Sequence, residues 1–262
     1  MGVEVLNDKN KNFVILFVGP TGSGKSTTLY SVLSKVNSPD INITTVEDPV
    51  EYQMTGVNQV STNPKAGMTF ASVLRSLLRQ DPNVIMVGEI RDKETAEIAV
   101  QASLTGHLVL STIHTNDAPS TVSRLFHMGL EPFAVSAALI GVIAQRLVKR
   151  ICEDCKQPQN ISPEQWKILE PHFAMGGKPE AIFKGAGCKV CRGEGYKGRI
   201  GIYEIMMVTP ELRESIVNRE TADRIRDVAV KQGMKCLYDS GILKVIAGVT
   251  TIEEVFRVTH SD

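Results

Sequence analysis

The stretch Gly19-Pro20-Thr21-Gly22-Ser23-Gly24-Lys25-Ser26-Thr27-Thr28 constrains the fold more than any other part of this chain. Gly19 and Gly24 bracket four residues and are followed by Lys25 and Ser26, the spacing of a phosphate loop. The apolar run Phe13-Val14-Ile15-Leu16-Phe17-Val18 precedes it, and a helix-like segment from Lys25 to Lys35 follows. Strand, loop and helix in that order are what the motif requires. Glycines let the backbone turn its N–H groups inward around an anion, and the helix N-terminus adds a favourable dipole. On this reading residues Gly19 to Thr27 cradle a nucleoside triphosphate, Lys25 reaches the β- and γ-phosphates, and Ser26 offers its hydroxyl to Mg²⁺.

The rest of the first half predicts a sheet that carries this loop. Four apolar runs, Phe13–Val18, Ile41–Val46, Val84–Val87 and Leu108–Thr112, alternate with helical patterns. That alternation predicts an α/β fold with a parallel-rich sheet covered on both faces. Phe70, Val73, Leu74, Leu77 and Leu78 make a helical stripe, capped by Thr69 and ended at Asp81-Pro82. Asp92 and Asp117 are expected to cap two further helices, ending at Gly106 and Gly129. Pro132 is expected to open a long apolar helix over Phe133–Val148.

In such sheets ligands sit at the carboxyl ends of the strands, so the residues there are the functional candidates. Glu89 follows an apolar strand and suits a Mg²⁺-holding acid. Glu47, Asp48 and Glu51 are all candidates to accept a proton from an attacking water, and spacing alone does not rank them. His114 could hydrogen-bond a phosphate or a water, and His107 stands at a helix-to-strand junction; for either histidine taken alone, a structural hydrogen bond is the commoner role. Arg75, Arg79, Arg91 and Arg146 could each meet a phosphate, but a structural ion pair or a solvated position is the commoner fate of such residues.

Cys152-Glu153-Asp154-Cys155 and Cys188-Lys189-Val190-Cys191 form two CxxC pairs. Two such knuckles supply the closed Cys₄ set of a structural Zn²⁺ site, with no open position for chemistry. The segment between them, with Trp166 and Phe173, predicts a small helix from Pro163 to Leu169. Cys236 stands apart and suits a buried apolar site. Beyond Glu204 the pattern turns helical: Thr209-Pro210 and Thr221 open two helices, and Thr250 with Glu253 predicts a capping box for a third. These read as a compact helical bundle without a catalytic constellation. The expected division is 1–149 for the nucleotide-binding core, 150–200 for the cysteine subdomain and 201–262 for the helices.

Composition narrows the function. Lys plus Arg and Asp plus Glu both number 29, so the formal charge is zero, which argues against a dedicated nucleic-acid binder. No apolar run reaches the roughly 18 residues needed to span a bilayer. Met1 to Lys11 is polar and lacks a signal-peptide core, so a cytoplasmic protein is expected.

Ile43-Thr44-Thr45-Val46-Glu47-Asp48-Pro49-Val50-Glu51-Tyr52, then Val87-Gly88-Glu89-Ile90-Arg91-Asp92, then Thr105-Gly106-His107-Leu108-Val109 and His114-Thr115-Asn116 resemble the ordered motifs of the secretion ATPase superfamily. These are hexameric motors of type II secretion, type IV pilus assembly and retraction, and type IV secretion. The resemblance implies a RecA-like core that binds ATP. It also implies that Glu51 is the catalytic carboxylate, Glu89 the Mg²⁺-associated acid and His114 a residue near the γ-phosphate. The four cysteines resemble the assembly and secretion branch, with its GspE-type and PilB-type ATPases. A homo-hexamer is implied, peripheral at the inner membrane through platform and cytoplasmic-domain partners of a secretion or pilus machine. Members of the superfamily carry domains before this core, which are expected to supply trans-acting arginines, so the resemblance covers the C-terminal ATPase portion. Two other readings stay open: a nucleic-acid-translocating RecA-like ATPase, and a nucleotide-dependent switch or scaffold with little turnover.

Overall fold

A computed structural model describes residues 13–172 and 181–259. Phe173, expected near the small helix, lies outside the described residues, as does the polar stretch Met1 to Lys11. Two compact units are built from interleaved stretches of chain. One holds residues up to Ala144 together with Ile205–Met234; the other holds Gln145–Glu204 together with residues from Lys235 onward.

The first unit opens with β1 (Phe13–Val18), α1 (Lys25–Val36), β2 (Ile43–Glu47) and β3 (Val57–Ser61). Then come α2 (Phe70–Leu77), β4 (Val84–Val87), α3 (Lys93–Leu104), β5 (Leu108–Ile113), α4 (Ala118–His127) and α5 (Pro132–Ala138). The sheet runs β3-β2-β4-β5-β1 and continues through β6 (Leu139–Ile151). The strand pairs β1/β5, β1/β6, β2/β3, β2/β4 and β4/β5 are all parallel, as the alternation of strands and helices predicts. Side chains of β1 alternate between two cores. Phe17 packs with Leu29 and Leu33, one turn apart on α1, and with Ile43, Met86 and Leu110. Val14 and Leu16 face Ala96, Ala99 and Val100 of α3 and Val135 of α5.

The helix stops are local chemistry. Thr69 caps α2 in a reciprocal box with Ser72, and Asp92 and Asp117 accept N–H bonds from Thr95 and Ser120 at α3 and α4. The expected helix over Phe133–Val148 is a correction: α5 ends at Ala138 and the chain enters β6, a 13-residue strand. Ile140, Val142, Ile143 and Val148 are β-branched and Gly141 is a poor helix former, so the apolar run prefers the sheet. Arg146 is therefore a strand residue. β3 carries no strand signal in sequence: only Val57 and Val60 are apolar in it, too few to make a pattern.

The second unit contains β7 (Lys156–Gln159), α6 (Pro163–Leu169) and β8 (Ile182–Gly185), with β7 antiparallel to β8. β9 (Tyr196–Met207) carries the chain back to the first unit, at the far edge of the sheet beside β6. In the first unit α7 (Pro210–Val217) packs on α5, and α8 (Ala222–Lys231) on α4 and α7. In the second, α9 (Leu237–Ile246) packs on α10 (Ile252–Thr259). Leu169, Ile182, Ile242, Val245, Ile252 and Val255 form the core of that unit. The C-terminal helices are thus present as two pairs. The cap of α10 is shifted by one from expectation: Thr251 accepts the Glu254 N–H at 3.4 Å, while the Thr250 hydroxyl donates to Lys149 O at 2.7 Å. Cys236 is half-buried at the start of α9 rather than inside an apolar site, and its N–H donates to Asp239 Oδ2 at 3.1 Å. A polar cap position won over burial there.

Candidate functional site

The phosphate loop leaves β1 at Val18 and enters α1 at Lys25, the strand–loop–helix order the motif needs. Gly24 sits at the N-cap with φ 89°, a left-handed conformation that side-chain-bearing residues avoid. It offers no side chain to the first turn of α1, so no side chain competes there with an incoming anion. Ser23 Oγ is buried without a hydrogen bond. Lys25 folds back on its loop, donating to Gly19 O at 2.8 Å and Pro20 O at 3.0 Å. Pro20, Thr21 and Thr27 are exposed along the same loop.

The acids at the neighbouring strand ends separate into two kinds. Glu47 ends β2 and is 4% exposed. It accepts hydrogen bonds from Tyr30 Oη, from Thr45 Oγ1 at 2.6 Å and from Gln59 Nε2 at 3.1 Å. A carboxylate so fully engaged is not available to a substrate water. Asp48 is exposed and precedes Pro49 through a cis peptide bond. Glu51 is exposed, and its Oε1 accepts the Ser26 hydroxyl at 3.3 Å. Of the three acids left open by spacing, it is Glu51 that the loop brings to the phosphate-loop serine.

Glu89 stands just past β4. Gly88 before it runs so close to β2 that a Cβ would lie 3.3 Å from Val46 O. Arg91 pairs with Glu89 Oε1, and His114 Nε2 lies 3.5 Å from Glu89 Oε2, an oxygen shut off from solvent that accepts no hydrogen bond. Glu89 and His114 are thus brought together from the ends of two adjacent strands. His107 turns away from the site: its ring Nδ1 meets Ala102 O at 2.8 Å. Arg75 pairs with Glu94 at 2.7 Å, the ordinary fate of such residues. Tyr30, Thr45 and Gln59 escaped sequence reasoning. Tyr30 was visible in principle, because it lies one helical turn after Ser26 on the same face of α1.

The four cysteines converge in the second unit. Their sulfurs all lie within 4.8 Å of one another. Cys152–Cys188, Cys155–Cys191 and Cys188–Cys191 are separated by 3.9, 3.8 and 3.7 Å. A tetrahedral Zn²⁺ with Zn–S bonds of about 2.3 Å requires sulfur–sulfur spacings of about 3.8 Å. The cluster therefore fits zinc, and its sulfurs are too far apart for disulfides. The N–H groups of Cys188 and Gly195 donate to Cys191 Sγ at 3.2 and 3.3 Å. Those donors, Cys188 first, hold the Cys191 thiol down to about 6, whereas burial pushes Cys152 up to about 12. Among the described residues no helix is long and apolar enough to cross a membrane.

The family described as Type II/IV secretion system protein matches residues 4–257. The type IV pilus assembly ATPase PilB of Thermus thermophilus is 51% identical over 248 residues, covering 94% of this chain and 28% of that protein. The type II secretion system ATPase E of Vibrio cholerae is 49% identical over 251 residues, covering 96% of this chain and 49% of that protein. The chain thus spans half or less of the length of these two relatives. Among solved structures, the pilus retraction motor PilT with bound ADP matches with a TM-score of 0.70 and 30% identity, over 95% of this chain and 61% of that one. The Legionella pneumophila ATPase DotB matches with a TM-score of 0.69 and 21% identity, over 99% of this chain and 63% of that one, a likeness of fold.

Proposed function

The chain belongs to the Type II/IV secretion system protein family, and from that premise we propose that it is an ATP-hydrolysing motor subunit of type II protein secretion or type IV pilus assembly. The observation that carries the reading is the Glu51 carboxylate held 3.3 Å from the Ser26 hydroxyl at the mouth of the phosphate loop. Similarity to PilB and to ATPase E over nearly the whole chain supports the assignment to assembly and secretion.

The chemistry is in-line attack of water on the γ-phosphorus of ATP. The water oxygen bonds to phosphorus, the bond to the β–γ bridging oxygen breaks, and ADP leaves. Glu51 takes the proton of the attacking water. Lys25 exchanges its loop carbonyls for phosphate oxygens, and the N–H groups at the start of α1 hold the same anion. His114 stands beside the γ-phosphate as a hydrogen-bond partner. Ser26 and Glu89 are the residues to hold Mg²⁺, and the unsatisfied Glu89 Oε2 suits that duty. Mg²⁺, when bound, neutralises charge developing on the phosphates.

Cys152, Cys155, Cys188 and Cys191 hold one structural Zn²⁺. Labour divides along the chain, with nucleotide chemistry in 1–149, the metal knuckle in 150–200 and helices for assembly contacts in 201–262. The working form is a homo-hexamer on the cytoplasmic side of the inner membrane, docked through platform proteins of the secretion or pilus machine.

The test is Mg·ATP binding and phosphate release by the purified chain beside a Lys25→Ala variant. Loss of a preorganised cationic donor is expected to slow turnover by about 10³-fold. Equal turnover by both proteins, or activity that appears only with DNA, would overturn the reading.

A further inference from the structure

The acidic loop that carries Glu51 is tied to α1 at two points. Glu51 Oε1 meets Ser26, and the Glu51 N–H donates to Tyr30 Oη at 3.3 Å. Ser26 and Tyr30 are four residues apart, so both ties lie on one face of the helix that begins at the phosphate loop. The Tyr52 N–H also points to Tyr30 Oη, at 3.5 Å.

A phenol has one donor and two acceptor sites. Tyr30 spends its donor on buried Glu47 and turns its acceptors toward the N–H groups of Glu51 and Tyr52. Glu47 is fixed in turn by Thr45 and Gln59, and Gln59 Nε2 also reaches Tyr52 O at 2.9 Å. The Tyr52 ring stands edge-on to Tyr30, with centroids 5.5 Å apart and an interplanar angle of 88°. The loop backbone is therefore held by a polar network whose root is a carboxylate that takes no part in the chemistry.

We propose that Tyr30, oriented by Glu47, is a positioning residue that sets the reach of Glu51 to the reacting water. The proposal rests on the reading of Glu51 as the proton acceptor. Burial and the Glu47 hydrogen bond raise the Tyr30 phenol above its ordinary value, which keeps the O–H a donor throughout the working range. A carboxylate on an exposed loop has many rotamers and much backbone freedom. Fixing its N–H to the same helix that presents Ser26 removes the backbone part of that freedom.

Tyr30→Phe keeps the ring and its packing on Tyr52 but deletes the hydroxyl. The amides of Glu51 and Tyr52 are expected to exchange with deuterium about tenfold faster, while other loop amides keep their rates. Turnover is expected to fall about 10- to 100-fold with KM for Mg·ATP within about twofold. In a Glu51→Gln background, Tyr30→Phe should slow turnover no further, because both act through one group. Gln59→Met cuts the same network from β3 and is expected to give a smaller loss in the same direction; it decides the question where Tyr30→Phe fails to fold. Unchanged exchange at residues 51 and 52, or loosened amides with wild-type turnover, would overturn the proposal. Wild-type turnover by Glu51→Gln alone would instead remove the reading on which it rests, and amide exchange would still decide whether the tether exists.

Discussion

The phosphate loop and the cysteine knuckle are two polar sites built on opposite plans. At the loop, polar groups are aimed but unfinished. The first N–H groups of α1 have no side-chain cap, and Ser23 Oγ and Glu89 Oε2 are buried without hydrogen bonds. At the knuckle, four sulfurs face one another at tetrahedral spacing, and Cys191 already receives two N–H donors. The first arrangement leaves room for a ligand to arrive, react and leave. The second leaves no position for a substrate, and the metal it fits would hold chain together. On the proposed reading one site serves turnover and the other stability, so perturbing each should leave the other's readout in place.

The largest expected effect is removal of the metal. Structural zinc contributes roughly 10 kcal/mol or more of apparent binding free energy in small zinc domains. Cys188→Ser should lower zinc content from one per chain to none and unfold the unit around the knuckle, seen as lost amide protection in β7, β8 and α9. Mg·ATP binding should persist. A zinc-free protein with unchanged protection would break the comparison from the knuckle side.

Leu33→Ala works from the opposite direction. Leu33 is fully buried between α1 and the sheet. Its truncation should cost about 3 kcal/mol, read by denaturant unfolding, with zinc content unchanged. Loss of zinc in this variant would show that the two sites do not respond separately. The smallest effect belongs to Thr69→Ala, which deletes one side of the capping box of α2. About 1 kcal/mol of stability should go, with turnover and zinc content both retained.

Much of this contrast is legible in the sequence, because each site is carried by short motifs. Gly19 to Ser26 and the two CxxC pairs are short patterns whose spacing fixes their geometry. The Asp92 and Asp117 caps are likewise decided within one turn. The failures share a physical cause, which is that burial was not visible. An apolar run such as Phe133–Val148 satisfies a buried helix and a buried strand equally well, and β6 emerges only from pairing with β1. Glu47 and Glu51 are four residues apart in one acidic stretch of sequence and look alike, yet Tyr30, Thr45 and Gln59 immobilise the first and leave the second exposed beside Ser26. The cap of α10 is Thr251 because Thr250 turns to Lys149 O, a contact about 100 residues away in sequence that no local pattern encodes.

The central claim is that Glu51, and not the buried Glu47, does proton chemistry at the open site. Single-turnover hydrolysis of ATP bound with Mg²⁺ tests it most directly, because it isolates the chemical step from product release. Glu51→Gln should slow that step by about 10²- to 10³-fold while ATP affinity stays within about threefold of wild type. Hydrolysis by Glu51→Gln at the wild-type rate would contradict the account.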